Sequence, residues 1–169
     1  MVQLQTIDGS DIPFDKIKKE TNLSSEDYSI YCLSKPTIGH ADIGHCAFAT
    51  GINNQAINVD TVAFGTDNIA YGKLAIVGGK NNEGGYNTVT FGANNKNKCD
   101  NAFVAGTNND NTGNNSFVTG NKNINRGKRT HIEGNENQNL STGLNNHLEG
   151  EKTIINESAS NAHTEGYGT

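Results

Sequence analysis

The chain has 169 residues, a net charge of −5 and no Trp, and its length is that of one ordinary domain. Leu, Ile, Val and Phe together number 34, against 27 Asn and 20 Gly, so the sequence can supply little conventional apolar core and must fold by repetition if it folds at all. Because the basic residues form no stripe that could neutralise phosphates, neither nucleic acid nor an anionic membrane is an expected partner.

Residues 1–42 do not share the pattern of the rest and are predicted to be an N-terminal capping or attachment segment. The segment lacks the apolar region of a secretory signal, and nowhere does the chain hold the ~20 consecutive apolar residues that span a bilayer. DYSIYCLS (27–34) alternates as a strand does, FDKIKKE (14–20) fits one helical turn or a loop, and TIGHADIGH (37–45) fits an incomplete first coil. A cap is expected where a repeat fold begins, since its first coil would otherwise be unpaired.

Residues 43–169 carry an internal repeat whose clearest mark is a glycine. The series is Gly51, Gly65, Gly78, Gly92, Gly106, Gly120, Gly134, Gly150 and Gly166. The usual step is 14 residues, with one step of 13 and two final steps of 16. Taking Gly79 in place of Gly78 only moves the short step by one repeat. A fixed period of this kind indicates a solenoid.

The residues before each glycine alternate as in a strand. Large residues stand three places before it (Phe48, Val62, Val89, Phe103, Phe117) and His131, His147 and His163 take that place later; one place before it come Thr50, Phe64, Phe91, Ala105, Thr119, Glu133, Glu149 and Glu165. Small residues stand between them, which predicts that this second face lies against a facing strand across a thin interior. Fourteen extended residues reach about 46 Å, enough for two facing strands per coil, and stacked coils would pair them in parallel at ~4.8 Å.

Asparagine recurs two or three places after the glycine, as Asn53, Asn68, Asn81, Asn94, Asn108, Asn123 and Asn137. Glycine adopts positive φ without steric cost and Asn tolerates the left-handed region. The pattern therefore predicts that both residue types mark the corners of each coil.

The column of large residues would leave a continuous apolar stripe on the surface of a single chain, and stripes of that extent mark interfaces. Three chains that turn the stripe toward a common axis would bury it, so a homotrimer is predicted. The expected interface consists of Phe48, Val62, Phe64, Val89, Phe91, Phe103, Phe117, His131, His147 and His163.

The later repeats replace this apolar column with a His-x-Glu-Gly motif, in HIEG, HLEG and HTEG. The two side chains share one face of a strand about 7 Å apart. A polar ladder is the favoured interpretation, with the pairs filling the axis of the trimer. The alternative is a metal site whose ligands would be His131, His147, His163, Glu133, Glu149 and Glu165. Identical tiers offer no differentiated pocket, so no catalytic residue and no cofactor are predicted.

DTVAFG, NTVTFG, NAFVAG and NSFVTG, each followed by an Asn-bearing turn, resemble the head repeat of trimeric autotransporter adhesins of the YadA type. NHLEG and AHTEG are similar to repeats in tail and prophage proteins of Gram-positive bacteria and their phages. The likeness covers residues 43–169. It implies an all-β fold, a left-handed parallel β-roll of ~14-residue coils assembled as a trimer, and a role as the attachment or spacer part of a surface fibre.

The expected function is thus a non-enzymatic attachment module, extracellular on a virion tail or bacterial surface, which binds a protein or glycan receptor of the host cell and does not insert into a membrane. The alternative is an ice-binding or other β-solenoid binding protein, although ice binding would need a regular Thr column, which the sequence lacks. Left-handed β-helix acyltransferases repeat in steps of six, which a period of 14 does not fit. Calcium-binding rolls need a Gly-Gly-x-Gly-x-Asp motif that is absent.

Cys32, Cys46 and Cys99 fit neither a metal site nor a disulfide framework and are expected to be small buried residues. His40 and His45 have no Glu two residues later, so they are expected to be surface or cap residues and not part of the His-x-Glu series.

Overall fold

The computed structural model describes residues 30–32, by their backbone alone, and residues 47–156 and 158–168. All regular elements in these ranges are β-strands, numbered here in chain order. The strands that belong to the first sheet are β1 (Ile30–Cys32), β2 (Phe48–Ile52), β4 (Val62–Thr66), β6 (Ile76–Lys80), β8 (Val89–Ala93), β10 (Phe103–Thr107), β12 (Phe117–Asn121), β14 (His131–Asn135), β16 (His147–Glu151) and β18 (His163–Tyr167). The two-residue strands of the second sheet are β3 (Gln55–Ala56), β5 (Ile69–Ala70), β7 (Glu83–Gly84), β9 (Lys96–Asn97), β11 (Asp110–Asn111), β13 (Ile124–Asn125), β15 (Gln138–Asn139) and β17 (Ile154–Ile155).

The chain winds into a parallel β-solenoid with one long and one short strand per coil. The long strands form a ten-stranded sheet in the order β1-β2-β4-β6-β8-β10-β12-β14-β16-β18, and the short strands form an eight-stranded sheet. Each strand pairs in parallel with its equivalent one coil away, so that Phe103 lies beside Phe117 and Phe117 beside His131. The predicted all-β solenoid of ~14-residue coils is confirmed.

Part of the N-terminal segment extends the first sheet. Ile30 pairs with Phe48 and Cys32 with Thr50 in parallel, which confirms a strand at the centre of DYSIYCLS. The predicted helical turn or loop at 14–20, the first coil at 37–45, His40, His45 and Cys46 lie outside the described residues. Within the described ranges no helix is long and apolar enough to cross a bilayer.

The interior is a thin double column of side chains, and its composition changes along the molecule. The second residue of each long strand from β2 to β16 is buried, and the column reads Ala49, Ala63, Val77, Thr90, Val104, Val118, Ile132 and Leu148. The facing column from the short strands reads Ala56, Ala70, Gly84, Asn97, Asn111, Asn125, Asn139 and Ile155. The predicted small inward residues are confirmed for the first coils. In the last coils the same positions hold Ile and Leu, so the interior is built from larger residues toward the C-terminus.

A ladder of buried asparagines lies at the third position after the repeat glycine in seven successive coils, and Thr153 takes that position in the next coil. Its members, all at most 3% exposed, are Asn54, Asn68, Asn82, Asn95, Asn109, Asn123 and Asn137. The Asn109 Nδ2 group donates to Asn95 Oδ1 at 3.0 Å, to the Ala105 carbonyl at 3.2 Å and to the Gly120 carbonyl at 3.0 Å. Its Oδ1 accepts from the backbone N–H of Asn123 at 3.0 Å. The side-chain amide of Asn109 thus joins three successive coils, and buried polar groups satisfied in this way fix the register.

The prediction that the recurring asparagines mark corners was therefore wrong for some of them. Residues at the second position after the glycine have positive φ, as in Asn53, Asn81 and Asn94, whereas Asn68 and Asn123 belong to the buried ladder. The two positions are adjacent in sequence and both favour Asn. One needs an amide that tolerates the left-handed region, and the other needs an amide that donates and accepts in the interior.

The glycine that continues the series is Gly79, because it pairs with Gly65 and Gly92 and has a φ of +111°. A Cβ at Gly79 would collide with the carbonyl of Gly92. Gly78 occupies the position before it, where the Phe64 ring leaves no room for a side chain. This register places Ile76 beside Val62 and Val89 in the column of large residues. Ile76 was missed in the sequence because the column was counted from Gly78.

Among the coils that the structure describes from β2 onward, all variation in coil length lies in one corner. The second residue of the short strand always follows the first residue of the long strand by eight positions, from Phe48 to Ala56 and from His147 to Ile155. From that residue to the first residue of the next long strand, the chain advances five positions after Gly84, eight after Asn139 and Ile155, and six in the other coils. We call this return the variable corner. The asparagine ladder lies in the other part of the coil and holds its length constant.

Candidate functional site

The outward face of the long-strand sheet carries the predicted interface residues. The first residue of each long strand points away from the interior, and we call this series the outer column: Phe48, Val62, Ile76, Val89, Phe103, Phe117, His131, His147 and His163. None of these side chains is fully buried, and Ile76 and Phe117 are 37% and 42% exposed. The structure thus places the predicted residues on one continuous face. Their burial between chains stays a prediction.

The rings of the outer column contact one another from coil to coil. Phe103 and Phe117 are stacked with centroids 5.0 Å apart, and His131 meets Phe117 edge-on at 5.1 Å. The centroids of His131 and His147 are 4.7 Å apart, and those of His147 and His163 are 4.8 Å apart. Five rings therefore form one continuous stack, which changes from phenylalanine to histidine between Phe117 and His131.

The third residue of each long strand forms a second outward series, which changes in the same way. Phe64 and Phe91 approach to 5.8 Å over Gly78, so the two rings cover the backbone of the coil between them. In the last three coils the series consists of Glu133, Glu149 and Glu165. Thr50 and Thr119 are its two threonines among nine positions, so the face lacks the regular Thr column of an ice-binding surface.

Each histidine of the outer column faces the glutamate two residues later on its own strand. The Nε2–Oε2 distances are 3.7 Å for His131 and Glu133, 3.6 Å for His147 and Glu149, and 3.7 Å for His163 and Glu165. These separations are too long for hydrogen bonds. The Nε2 atoms of His131 and His147 are shielded from solvent and have no hydrogen-bond partner. We call each His–Glu pair a tier.

An open groove of about 600 Å³ runs beside the outer column. One wall is the rings of Phe103, Phe117 and His131, and the other is the corner formed by Asn87, Asn101, Asn115 and Arg129. Asn87 donates to Asn101 at 2.8 Å across the coils, so the polar wall is held in place. The groove therefore has one apolar and one amide-bearing side.

Several charged groups form ion pairs at the surface of the solenoid. Lys122 Nζ lies 3.1 Å from Glu136 Oε1, and Arg126 lies 2.8 Å from Asp110 on the second sheet. Exposed pairs of this kind add little stability. Within residues 47–156 and 158–168, no three His, Cys, Asp or Glu side chains come together as a group that could hold a metal ion.

Cys99 is the one described cysteine whose side chain is placed, and it is 3% exposed, which confirms its predicted burial. Its thiol donates to Asn97 Oδ1 at 3.0 Å and its sulfur accepts from Asn111 at 3.1 Å. Burial raises the pKa of the Cys99 thiol from its usual 9.0 to about 12. A thiol in this state is inert as a nucleophile or metal ligand.

Comparisons of the chain with protein-family models, with curated proteins and with solved structures found no match.

Proposed function

We propose that the chain is a non-enzymatic attachment module, the head or shaft of a trimeric fibre on a phage tail or a bacterial surface. In this assembly three left-handed β-rolls turn their long-strand sheets toward a common axis, and residues 1–42 serve as the cap or attachment segment. The resemblance of repeats such as NTVTFG and NAFVAG to YadA-type head repeats supports the proposal.

The observation that carries it is the outer column. Large apolar side chains stand in line on an outward face while Ala63 and Val77 fill the interior behind them. Phe64 and Phe117 are 38% and 42% exposed in the single chain. Contiguous exposed apolar surface of this kind marks an interface, and closed rotational symmetry lets identical chains cover the same stripe.

The variable corner is the proposed receptor-binding region. It changes in length without changing the stack, and it presents exposed apolar side chains such as Tyr86, Leu140 and Leu144. Loops on a rigid scaffold commonly carry binding residues. Three copies on one rod would add avidity to a weak contact with a protein or glycan of the host surface.

The trimer is tested by light scattering on the native chain and two aspartate variants. Phe117 and Ile154 are 42% and 43% exposed in the single chain, but Phe117 belongs to the outer column and Ile154 to the second sheet. Phe117→Asp would bury three unpaired charges near the axis, at several kcal/mol each, and is expected to yield monomers. Ile154→Asp is expected to remain trimeric. A monomeric native chain, or equal behaviour of the two variants, would refute the assembly.

A further inference from the structure

The three tiers repeat one arrangement of donor atoms at the C-terminal end of the outer column. In every tier an imidazole Nε2 and a carboxylate Oε2 from the same strand stand 3.6–3.7 Å apart. The two atoms are too far apart for a hydrogen bond and yet close enough to share a third atom between them. The same separation recurs in three successive coils, because the parallel register keeps His above His and Glu above Glu.

We propose that the tiers bind divalent transition-metal ions such as Zn²⁺, each ion chelated by one His Nε2 and one Glu Oε2. Two donors that are both about 2.1 Å from a zinc ion lie ~3.4 Å apart when the site is tetrahedral. The observed separations therefore need to close by only a few tenths of an ångström. Imidazole and carboxylate are both common zinc ligands.

The unsatisfied histidine nitrogens point to the same role. The Nε2 atoms of His131 and His147 are shielded from water and have no hydrogen-bond partner, although their side chains are 44% and 36% exposed overall. A shielded nitrogen without a partner costs free energy. A metal ion supplies the missing partner, since a neutral imidazole coordinates through an unprotonated nitrogen.

Two protein donors leave the other coordination positions to water or to the same tier of neighbouring chains. The site therefore needs no trimer, although a trimer would add ligands. Successive tiers are only ~4.8 Å apart, so two bound dications repel each other and one carboxylate per ion offsets part of that charge. The first ion is expected to bind more tightly than the next.

The test is a calorimetric titration of the full chain with ZnCl₂ at pH 7.5. One variant carries His131→Gln, His147→Gln and His163→Gln, and a second carries Glu133→Gln, Glu149→Gln and Glu165→Gln. A matched control removes three glutamates outside the tiers, Glu83→Gln, Glu136→Gln and Glu151→Gln. His40 and His45 are unchanged in all of them. We expect zinc affinity to fall at least tenfold in both tier variants and to be unchanged in the control.

Absence of binding to the native chain, or a native isotherm in either tier variant, would overturn the proposal. If a variant fails to fold, X-ray absorption at the zinc edge of the native complex decides instead: one imidazole with oxygen neighbours supports the site, and oxygen alone refutes it. Light scattering on the same samples separates the two proposals. A zinc-binding monomer refutes only the trimer, and a trimer that does not bind zinc refutes only the tiers.

Discussion

The first and last coils have the same backbone path but differ in where their large apolar side chains lie. In the first coils Ala49 and Ala63 fill the interior and Phe48 and Phe64 stand outside, whereas in the last coils Ile132 and Leu148 fill the interior and histidine and glutamate stand outside. The two apolar clusters of the interior are separate, one ending at Val77 and the other beginning at Val104.

This difference shows that the coil does not depend on one kind of apolar core. A coil with a small interior can bury further apolar surface only against another chain, while a coil with Ile and Leu inside buries more within itself. We therefore expect the N-terminal coils to rely more on assembly and the C-terminal coils to be more stable alone. The asparagine ladder is common to both.

The largest effect is expected from Asn109→Asp, which tests the element shared by the two regions. The substitution replaces a donor with an oxygen that would face the carbonyl oxygens of Ala105 and Gly120, 3.2 and 3.0 Å from the present Nδ2. A buried charge without a partner costs about 3–5 kcal/mol, so chemical denaturation at pH 7 should show a loss of that size. Asn108→Asp, at the exposed corner, is the control and should change stability little. Equal losses in the two variants would mean that the ladder does not hold the coils.

Leu148→Ala tests the C-terminal interior. Leu148 is fully buried, and removal of such a side chain leaves a cavity that typically costs about 2–5 kcal/mol. The midpoint of urea unfolding should fall accordingly. Leu140→Ala, which changes the same residue type at a 39% exposed position, should have a much smaller effect. A loss below about 1 kcal/mol for Leu148→Ala would show that the last coils are not held together by their own core.

Ala63→Leu tests the opposite property in the N-terminal coils. Ala63 is fully buried between the sheets, and overpacking of a tight interior typically costs about 1–3 kcal/mol. Thermal unfolding should therefore occur at a lower temperature. If this variant were as stable as the native chain, the N-terminal interior would have room for a larger core and the contrast between the two regions would disappear.

At neutral pH the smallest effect is expected at Cys99, which lies between the two apolar clusters. Because folding raises the pKa of this thiol to about 12, the native state resists its ionisation. This contribution to stability is complete below about pH 9 and is lost as the pH rises from 9 toward 12. Cys99→Ala should lack that part of the alkaline slope.

Alkylation provides a second measurement at the same residue. Iodoacetamide at pH 9, followed by mass spectrometry of the Cys99 peptide, should modify the thiol slowly in the native chain and rapidly in urea. Fast labelling without urea would show that the two regions separate at this coil.

The repeat, the strands and the inward small residues could be predicted because glycine, alternation and period are local properties of the sequence. The roles of Asn53 and Asn54 could not, since one residue type meets both the need for positive φ and the need for a buried amide. The choice between Gly78 and Gly79 depended on the Phe64 ring, which lies one coil away. The tiers were recognised as His-x-Glu motifs, but the separation of their donor atoms and the unpartnered Nε2 groups arise only from the stacking of the coils.

Because of the variable corner, the length of the rod depends on the number of coils and not on the number of residues. A coil advances the stack by ~4.8 Å whether its corner is short or long, so residues added between Asn139 and His147 change the circumference alone. Exposed loops that leave the surrounding hydrogen bonds intact are also where foreign segments are best tolerated. A peptide epitope inserted after Thr142 would be displayed at a fixed height along the rod, and epitopes in successive corners would form a regularly spaced array.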